Sequence, residues 1–320
     1  VNPPSSPVID AHIHIFPPEI VAHRERFFRL DALFAELYAN PKARLATAED
    51  ALASMDRNGI AGAFALAFGW NDPGLCQVHN DYLAEVQGRY PGRFAGFAAT
   101  QPRQGSWALA EVVRALGKGL RGIGELMPHG QGYALDDWRV MDPLAEALTA
   151  LNVPLVTHVS EPVGHDYPGK GAVSPTSAWR LAERHPRLKL ILAHWGGGLP
   201  FYELMPEVSA TLHQHLYYDS AASTYLYRFE IFRIAAQLVS ADRILFATDY
   251  PLLRQGPFLQ KVREVGLPEP ALGQILGGNA VRLLGVEGWP ASSSIDPRPA
   301  ASATDPQTPE DLESPSHRSE

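Results

Sequence analysis

One cysteine, Cys76, stands among 320 residues, so no internal disulfide can form and nothing in the fold depends on an oxidising compartment. Cys76 sits in a helical stretch with Leu75, Val78 and Tyr82 and reads as a packing residue. Long apolar runs are missing too: the longest, Ala61 to Phe68, falls far short of the ~20 residues that cross a bilayer. Val1 to Pro7 carries neither the basic nor the apolar region of a secretory signal. A cytoplasmic location with no membrane partner is the expectation. Basic residues are in deficit, 27 Lys and Arg against 35 Asp and Glu, which argues against a nucleic-acid partner because phosphate neutralisation needs a basic surface. No Lys-Ser/Thr pair follows Gly196-Gly197-Gly198, so that run reads as a tight turn rather than a phosphate cradle.

What is present is the material of a packed core: 45% of residues are hydrophobic and 19% charged, the balance of a folded domain. From Gly288 onward this changes. Residues 288–320 are rich in Pro, Ser and Ala, and Asp296, Asp305, Glu310, Asp311, Glu313 and Glu320 outnumber Arg298 and Arg318. So few apolar side chains cannot offset the entropy of ordering, and the segment reads as a disordered acidic tail behind a single domain over 1–287.

Within 1–287, apolar runs of strand length alternate with amphipathic stretches: Val8 to His12, Ile60 to Phe68, Phe94 to Thr100, Leu120 to Leu126, Val153 to His158, Leu188 to His194, Leu216 to Ser220 and Arg243 to Asp249. Continuous apolar strands are those of a parallel sheet covered on both faces. Eight βα units in this length predict a (β/α)8 (TIM) barrel. Thr47 with Asp50 caps a helix over Ala51 to Asn58 that Gly59 stops, and a further helix is expected over Phe201 to His215.

Several of these runs end in a side chain able to hold a metal: His12 and His14 in VIDAHIH, Glu125 in LRGIGEL, His158 in VPLVTH, His194 in LKLILAH and Asp249 in RILFATD. A buried strand tolerates such residues where it emerges at the C-terminal mouth, the place where barrel active sites are built. The two-residue strand period points His12 and His14 to one side. The pattern therefore predicts a metal site at that mouth. His23, His79, His129, His185, His213, His215 and His317 fall outside it and read as surface or helix residues.

Taken together, VIDAHIHIFP, the fifth-run His158, AHWGG and FATDYP resemble the amidohydrolase superfamily, in particular its branch containing aminocarboxymuconate semialdehyde decarboxylase. The resemblance runs from Val8 to Leu284. It implies a divalent ion, usually zinc, on His12, His14, His158 and Asp249, with His194 binding a second ion or assisting catalysis. In hydrolytic relatives a fourth-strand carboxylate bridges two ions. Glu125 matches that place; the alternative is pairing with Arg121 or with a ligand imidazole.

A cation with an open position lowers the pKa of bound water towards ~7. Asp249 would then accept the proton and His194 polarise a carbonyl. The first functional expectation is accordingly hydrolysis of a small-molecule amide, ester or lactone, with one zinc ion or two. The alternative is a non-oxidative decarboxylase with one ion, for which Arg254 is the candidate to grip a carboxylate. A catalytically silent metal-binding barrel is the remaining reading. Glu161, His165, Tyr167 and Lys170, in the loop after the fifth run, and Trp195 and Tyr250, next to ligand positions, are the candidate substrate contacts. Homo-oligomerisation stays open.

Overall fold

The computed structural model describes residues 7–212 and 215–285; the acidic segment from 288 on lies outside the described residues. Eight parallel strands pair in chain order, β1 (Ile9–His14), β2 (Gly62–Leu66), β3 (Phe94–Ala98), β4 (Gly122–Leu126), β5 (Leu155–Thr157), β6 (Leu190–Leu192), β7 (Leu216–Asp219) and β8 (Ile244–Leu245). The ring closes between β8 and β1, where Ala11 N–H donates to the Phe246 carbonyl at 2.8 Å and Asp249 N–H to the His12 carbonyl at 2.9 Å. The expected (β/α)8 barrel is the observed fold.

Helices surround the ring: α1 (Ala32–Tyr38), α2 (Ala48–Asn58), α3 (Pro73–Arg89), α4 (Ser106–Gly117), α5 (Trp138–Leu151), α6 (Pro175–Arg184), α7 (Ile231–Val239) and α8 (Gln255–Arg263). Their starts follow from local chemistry. Thr47 and Asp50 form the expected capping box on α2, and Gly59 ends that helix at φ 65°. Asp72 caps α3 by accepting Leu75 N–H, with Pro73 in the first turn. The helix expected over Phe201 to His215 is instead two short ones, Leu199–Tyr202 and Pro206–Thr211. Pro206 has no N–H to continue the first helix and disfavours helical backbone at Met205, so the chain must restart there.

Two apolar clusters hold the fold. The outer one packs the helices on the strands. The inner one fills the barrel with Ile9, Ala11, Phe64, Leu66, Phe97, Val156, Ile191 and Leu245, and α9 (Asn279–Leu284) joins it through Ala280 and Leu283. Phe64 and Phe97 stack at 5.0 Å; complete burial of one such ring stabilises the fold by about 1.5–3 kcal/mol. The barrel is therefore solid below, and its polar groups have room only at the strand ends.

Strict alternation does not carry the ligands to that end. Ile9 and Ala11 already face the interior, which would turn His12 and His14 outward. A register shift between Asp10 and Ile13 reverses the parity. β4 repeats the device: a second shift between Ile123 and Leu126 precedes the turn of Glu125 into the mouth.

Candidate metal centre

His12 and His14 meet nitrogen to nitrogen, with their Nε2 atoms 3.1 Å apart. Glu125 Oε2 lies 3.4 Å from each, and Asp249 Oδ1 stands 3.9 and 3.7 Å away. The other oxygen of Glu125, Oε1, lies 3.2 Å from His158 Nδ1 and 3.4 Å from His194 Nε2. Four donors held about 2.0–2.1 Å from one cation in a tetrahedron stand roughly 3.4 Å apart, so the spacing is that of a ligand set. His12, His14 and Asp249 form one compact group of donors and Glu125, His158 and His194 another.

Each imidazole is oriented by a hydrogen bond on its far nitrogen. His12 Nδ1–H donates to Asp219 Oδ2 at 2.8 Å, His14 Nδ1–H to the Leu66 carbonyl at 3.2 Å, His158 Nε2–H to the Lys170 carbonyl at 3.1 Å and His194 Nδ1–H to the Ala221 carbonyl at 3.3 Å. In every case the nitrogen left bare is the one that faces the cluster, as a metal ligand requires. Asp219 also accepts the His194 N–H at 2.9 Å, tying two ligand strands together. His194 and Asp249 adopt φ of 58° and 65°, a left-handed backbone costing about 1–2 kcal/mol per residue that packing must hold.

Burial alone would push the His12 imidazole down, but Asp219 and Glu125 outweigh it and hold it well above its ordinary value. His194 is likewise opposed by burial and raised to about 9 by Glu125 and Asp249. Burial would raise Glu125; His12 and the adjoining imidazoles bring it well below the usual carboxylate range. The centre is thus a concentration of negative charge that calls for positive charge, which a divalent cation supplies. The donor set fits one, and these residues could hold a divalent metal ion.

Glu125 makes no pair with Arg121, whose guanidinium reaches the Leu284 carbonyl at the opposite end. The glycines flanking Glu125 serve the barrel interior: a Cβ on Gly122 would meet the Phe97 ring, and one on Gly124, at φ 131°, the Val156 carbonyl.

Above the cluster opens a cavity of about 470 Å³, to which His14, Glu125, His158, His194 and Asp249 contribute the polar floor. Leu37, Tyr38, Met127, Tyr167, Leu226 and Leu252 make an apolar wall. Arg44 is the one Arg or Lys among its described lining residues.

Of the substrate contacts expected from sequence, Tyr167 alone lines this cavity. Lys170 turns back into its own loop, Glu161 accepts the Tyr167 hydroxyl at 3.0 Å, and His165 is exposed. Trp195 is fully buried, donating from Nε1 to Ser223 Oγ at 2.8 Å and packing on Phe232. Tyr250 is half-buried outside the cavity, its backbone bridged to Ile13. Arg254 is an exposed residue capping the start of α8 and is not among the cavity's described lining residues.

Sequence reasoning missed Arg44, Tyr38, Asp219 and His129. Asp219 was legible, since LYYD ends an apolar run as FATD does. His129, read as a surface or helix residue, lines the cavity, its ring 5.0 Å from that of His158. Desolvation and the neighbouring His158 lower its pKa to about 4.

A sequence model of the family described as amidohydrolase matches residues 9–286. The chain belongs to the amidohydrolase family. It is 27% identical over 216 residues to a gamma-resorcylate decarboxylase of Polaromonas sp., an alignment covering 54% of this chain and 64% of that protein. It thus spans less than two thirds of that relative's length. With a 2-amino-3-carboxymuconate-6-semialdehyde decarboxylase of Dictyostelium discoideum it shares 25% identity over 248 residues, 67% of each chain. Its barrel superposes with a TM-score of 0.70 on a 5-carboxyvanillate decarboxylase of Novosphingobium aromaticivorans complexed with manganese and a nitrobenzoic acid, at 20% identity over 88% of this chain and 96% of that one.

These comparisons correct the first functional expectation. Hydrolysis was favoured because Glu125 matched the bridging carboxylate of hydrolytic amidohydrolases, yet the relatives are decarboxylases, the activity held as the alternative. Among the described residues no helix is long and apolar enough to cross a membrane.

Proposed function

We propose that this amidohydrolase-family protein is a metal-dependent decarboxylase of a small aromatic or unsaturated carboxylic acid. The observation that carries the reading is the pairing of an apolar-walled cavity of about 470 Å³ with a metal-ligand floor and, among its described lining residues, a single guanidinium, Arg44. The decarboxylase activity of the relatives supports it.

In such a reaction the bond between the ring carbon and the carboxylate breaks, carbon dioxide leaves, and the electron pair left on carbon takes up one proton. A divalent ion held by the His, Glu and Asp donors of the floor would anchor the acid's oxygens and withdraw electron density. The chain does the rest. Arg44 pairs with the acid's negative charge, and the wall of Leu37, Tyr38 and Leu252 excludes water from the ring. Asp249, with 13% of its side chain exposed against 1% for Glu125 and 0% for His12, is the acid open to the cavity and moves the proton to carbon. His194 flanks it.

Two cations would be accommodated by the two donor groups, one held by His12, His14 and Asp249 and the other by His158 and His194, with Glu125 shared between them. Imidazole donors favour zinc, whereas the manganese of the Novosphingobium enzyme makes that ion the alternative. Elemental analysis of chelator-stripped and reloaded protein is expected to find two equivalents per chain. In Glu125→Gln it should find no more than one.

The function is tested on a panel of hydroxybenzoates and unsaturated acids followed for carbon dioxide, beside lactones, esters and amides followed for acid release. Carbon dioxide from an aromatic or unsaturated acid is the expected result; acid release alone would overturn the proposal. Arg44→Ala should raise KM by roughly 10- to 100-fold with a smaller change in kcat, since a hydrogen bond to a charged group contributes about 1.5–3 kcal/mol. Arg44→Lys should recover part of the loss.

A further inference from the structure

The loop after β5 lines the cavity through Tyr167, Pro168 and Gly169 and also reaches the imidazole of His158. His158 directs Nδ1 at Glu125, and its other nitrogen, Nε2, meets the backbone carbonyl of Lys170 at 3.1 Å and Ser160 Oγ at 3.2 Å. Ser160 Oγ donates to that same carbonyl. The Lys170 side chain, only 8% of the residue exposed, turns back on the loop. Its ammonium donates to the carbonyls of Val163, Gly164 and His165 at 3.1, 3.3 and 3.2 Å and lies 3.5 Å from Glu161 Oε1.

Three backbone carbonyls and one carboxylate around one ammonium satisfy all of its donors. Lifting the loop would break all four of these contacts at once. Two further ties hold the loop's far side. Gly169 N–H donates to Glu36 Oε1 of α1 at 2.8 Å, and Gly171, at φ 63°, lies flat on the His129 ring, where a Cβ would collide. His129 in turn packs on His158.

We propose that Lys170 is a positioning residue of the metal centre: by drawing residues 163–165 around its ammonium it folds the loop so that its own carbonyl locks the His158 ring with Nδ1 bare towards Glu125. The inference rests on the reading of His158 as a ligand and is independent of which acid is decarboxylated. It assigns Lys170 to the metal centre, where sequence reading had placed it on the substrate.

The test is zinc binding to the full chain without substrate, by competition with a chromophoric chelator, beside hydrogen exchange of the loop amides. Loss of the partner that orients a ligating histidine costs roughly 10- to 100-fold in metal affinity. Lys170→Met should therefore weaken the zinc site by about tenfold or more and speed exchange at Ser160 and Gly169, with the melting temperature of the metal-free protein close to the parent's. Lys170→Arg should restore much of the affinity. Parent-like zinc affinity in Lys170→Met overturns the proposal. If that variant does not fold, Lys170→Gln, too short and uncharged to gather the three carbonyls, decides in its place: weakened binding supports the lock, and parent-like binding overturns it. His158→Ala separates the two readings. If it binds zinc as the parent does, the ligand assignment falls and the lock with it; if it weakens and Lys170→Met does not, the lock alone falls.

Discussion

Asp249→Asn is expected to leave the barrel folded while lowering kcat by about 10²- to 10⁴-fold, the range that a positioned proton donor contributes. The substitution is nearly isosteric. The backbone bond from Asp249 N–H to His12 is untouched by it, and Asn tolerates the φ of 65° at this position. What disappears is the ability to carry a proton and the charge facing His12 and His14 that would help hold a cation, so metal content is measured beside turnover to tell the two apart. Turnover followed as carbon dioxide release, with melting temperature and circular dichroism as the check on folding, reads both halves. His23→Gln, half-exposed and away from the strand ends, supplies the comparison and should leave turnover within a factor of two of the parent. A loss of equal size at both positions would mean that Asp249 is not at the reacting centre.

The strand ends were legible because a barrel strand buries every side chain until it emerges, so a His, Glu or Asp closing an apolar run has few other places to be. That logic located all six residues now found around one mouth. It could not locate Arg44 or Tyr38. Both come from the long β1–α2 connection, whose course is set by packing of Phe16, Phe34, Phe68 and Trp70 and not by any local period. Nor could it see the register shifts in β1 and β4, which add no residue type of their own. His12 and His14 were placed together by a correct rule, but the side they face was decided by the bulge.

The hydrolase expectation failed for a different physical reason. Imidazoles and carboxylates around a cation specify that an electrophile is held, and both hydrolysis and decarboxylation use one. The choice between reactions lies in the wall and in the charge opposite the ligands. These residues are spread along the chain from Leu37 to Leu252, and their convergence is tertiary information. Lys170 and Trp195 make the converse point. Adjacency in sequence to a ligand suggested substrate contact, yet one ammonium is spent on loop carbonyls and one indole on Ser223 and Phe232.

A second large effect is expected at His79, a residue in α3 whose ring is wholly buried. Its Nε2–H donates to the Ile15 carbonyl at 2.7 Å, while Nδ1 accepts both Trp70 Nε1–H at 3.1 Å and Phe68 N–H at 3.3 Å. One neutral tautomer thus joins the chain just beyond β1 to the chain just beyond β2. Burial brings its pKa down to about 4 against the ordinary 6.5, with His14 adding to the effect and the Ile15 bond opposing it. A base with a depressed folded pKa binds its proton more readily when unfolded. Stability from this group is therefore present above pH 6.5 and is lost as pH falls towards 4, by about 3 kcal/mol in all. Urea unfolding of chelator-stripped protein between pH 4 and 8 should show that slope in the parent. His79→Gln should flatten the slope and, at pH 8, cost about 3 kcal/mol through the buried donors and acceptor it leaves unpaired. Parallel pH profiles for the two proteins would show that the imidazole is not the group responsible, and that the join between β1 and β2 is held by packing of Phe16, Phe68 and Trp70 instead.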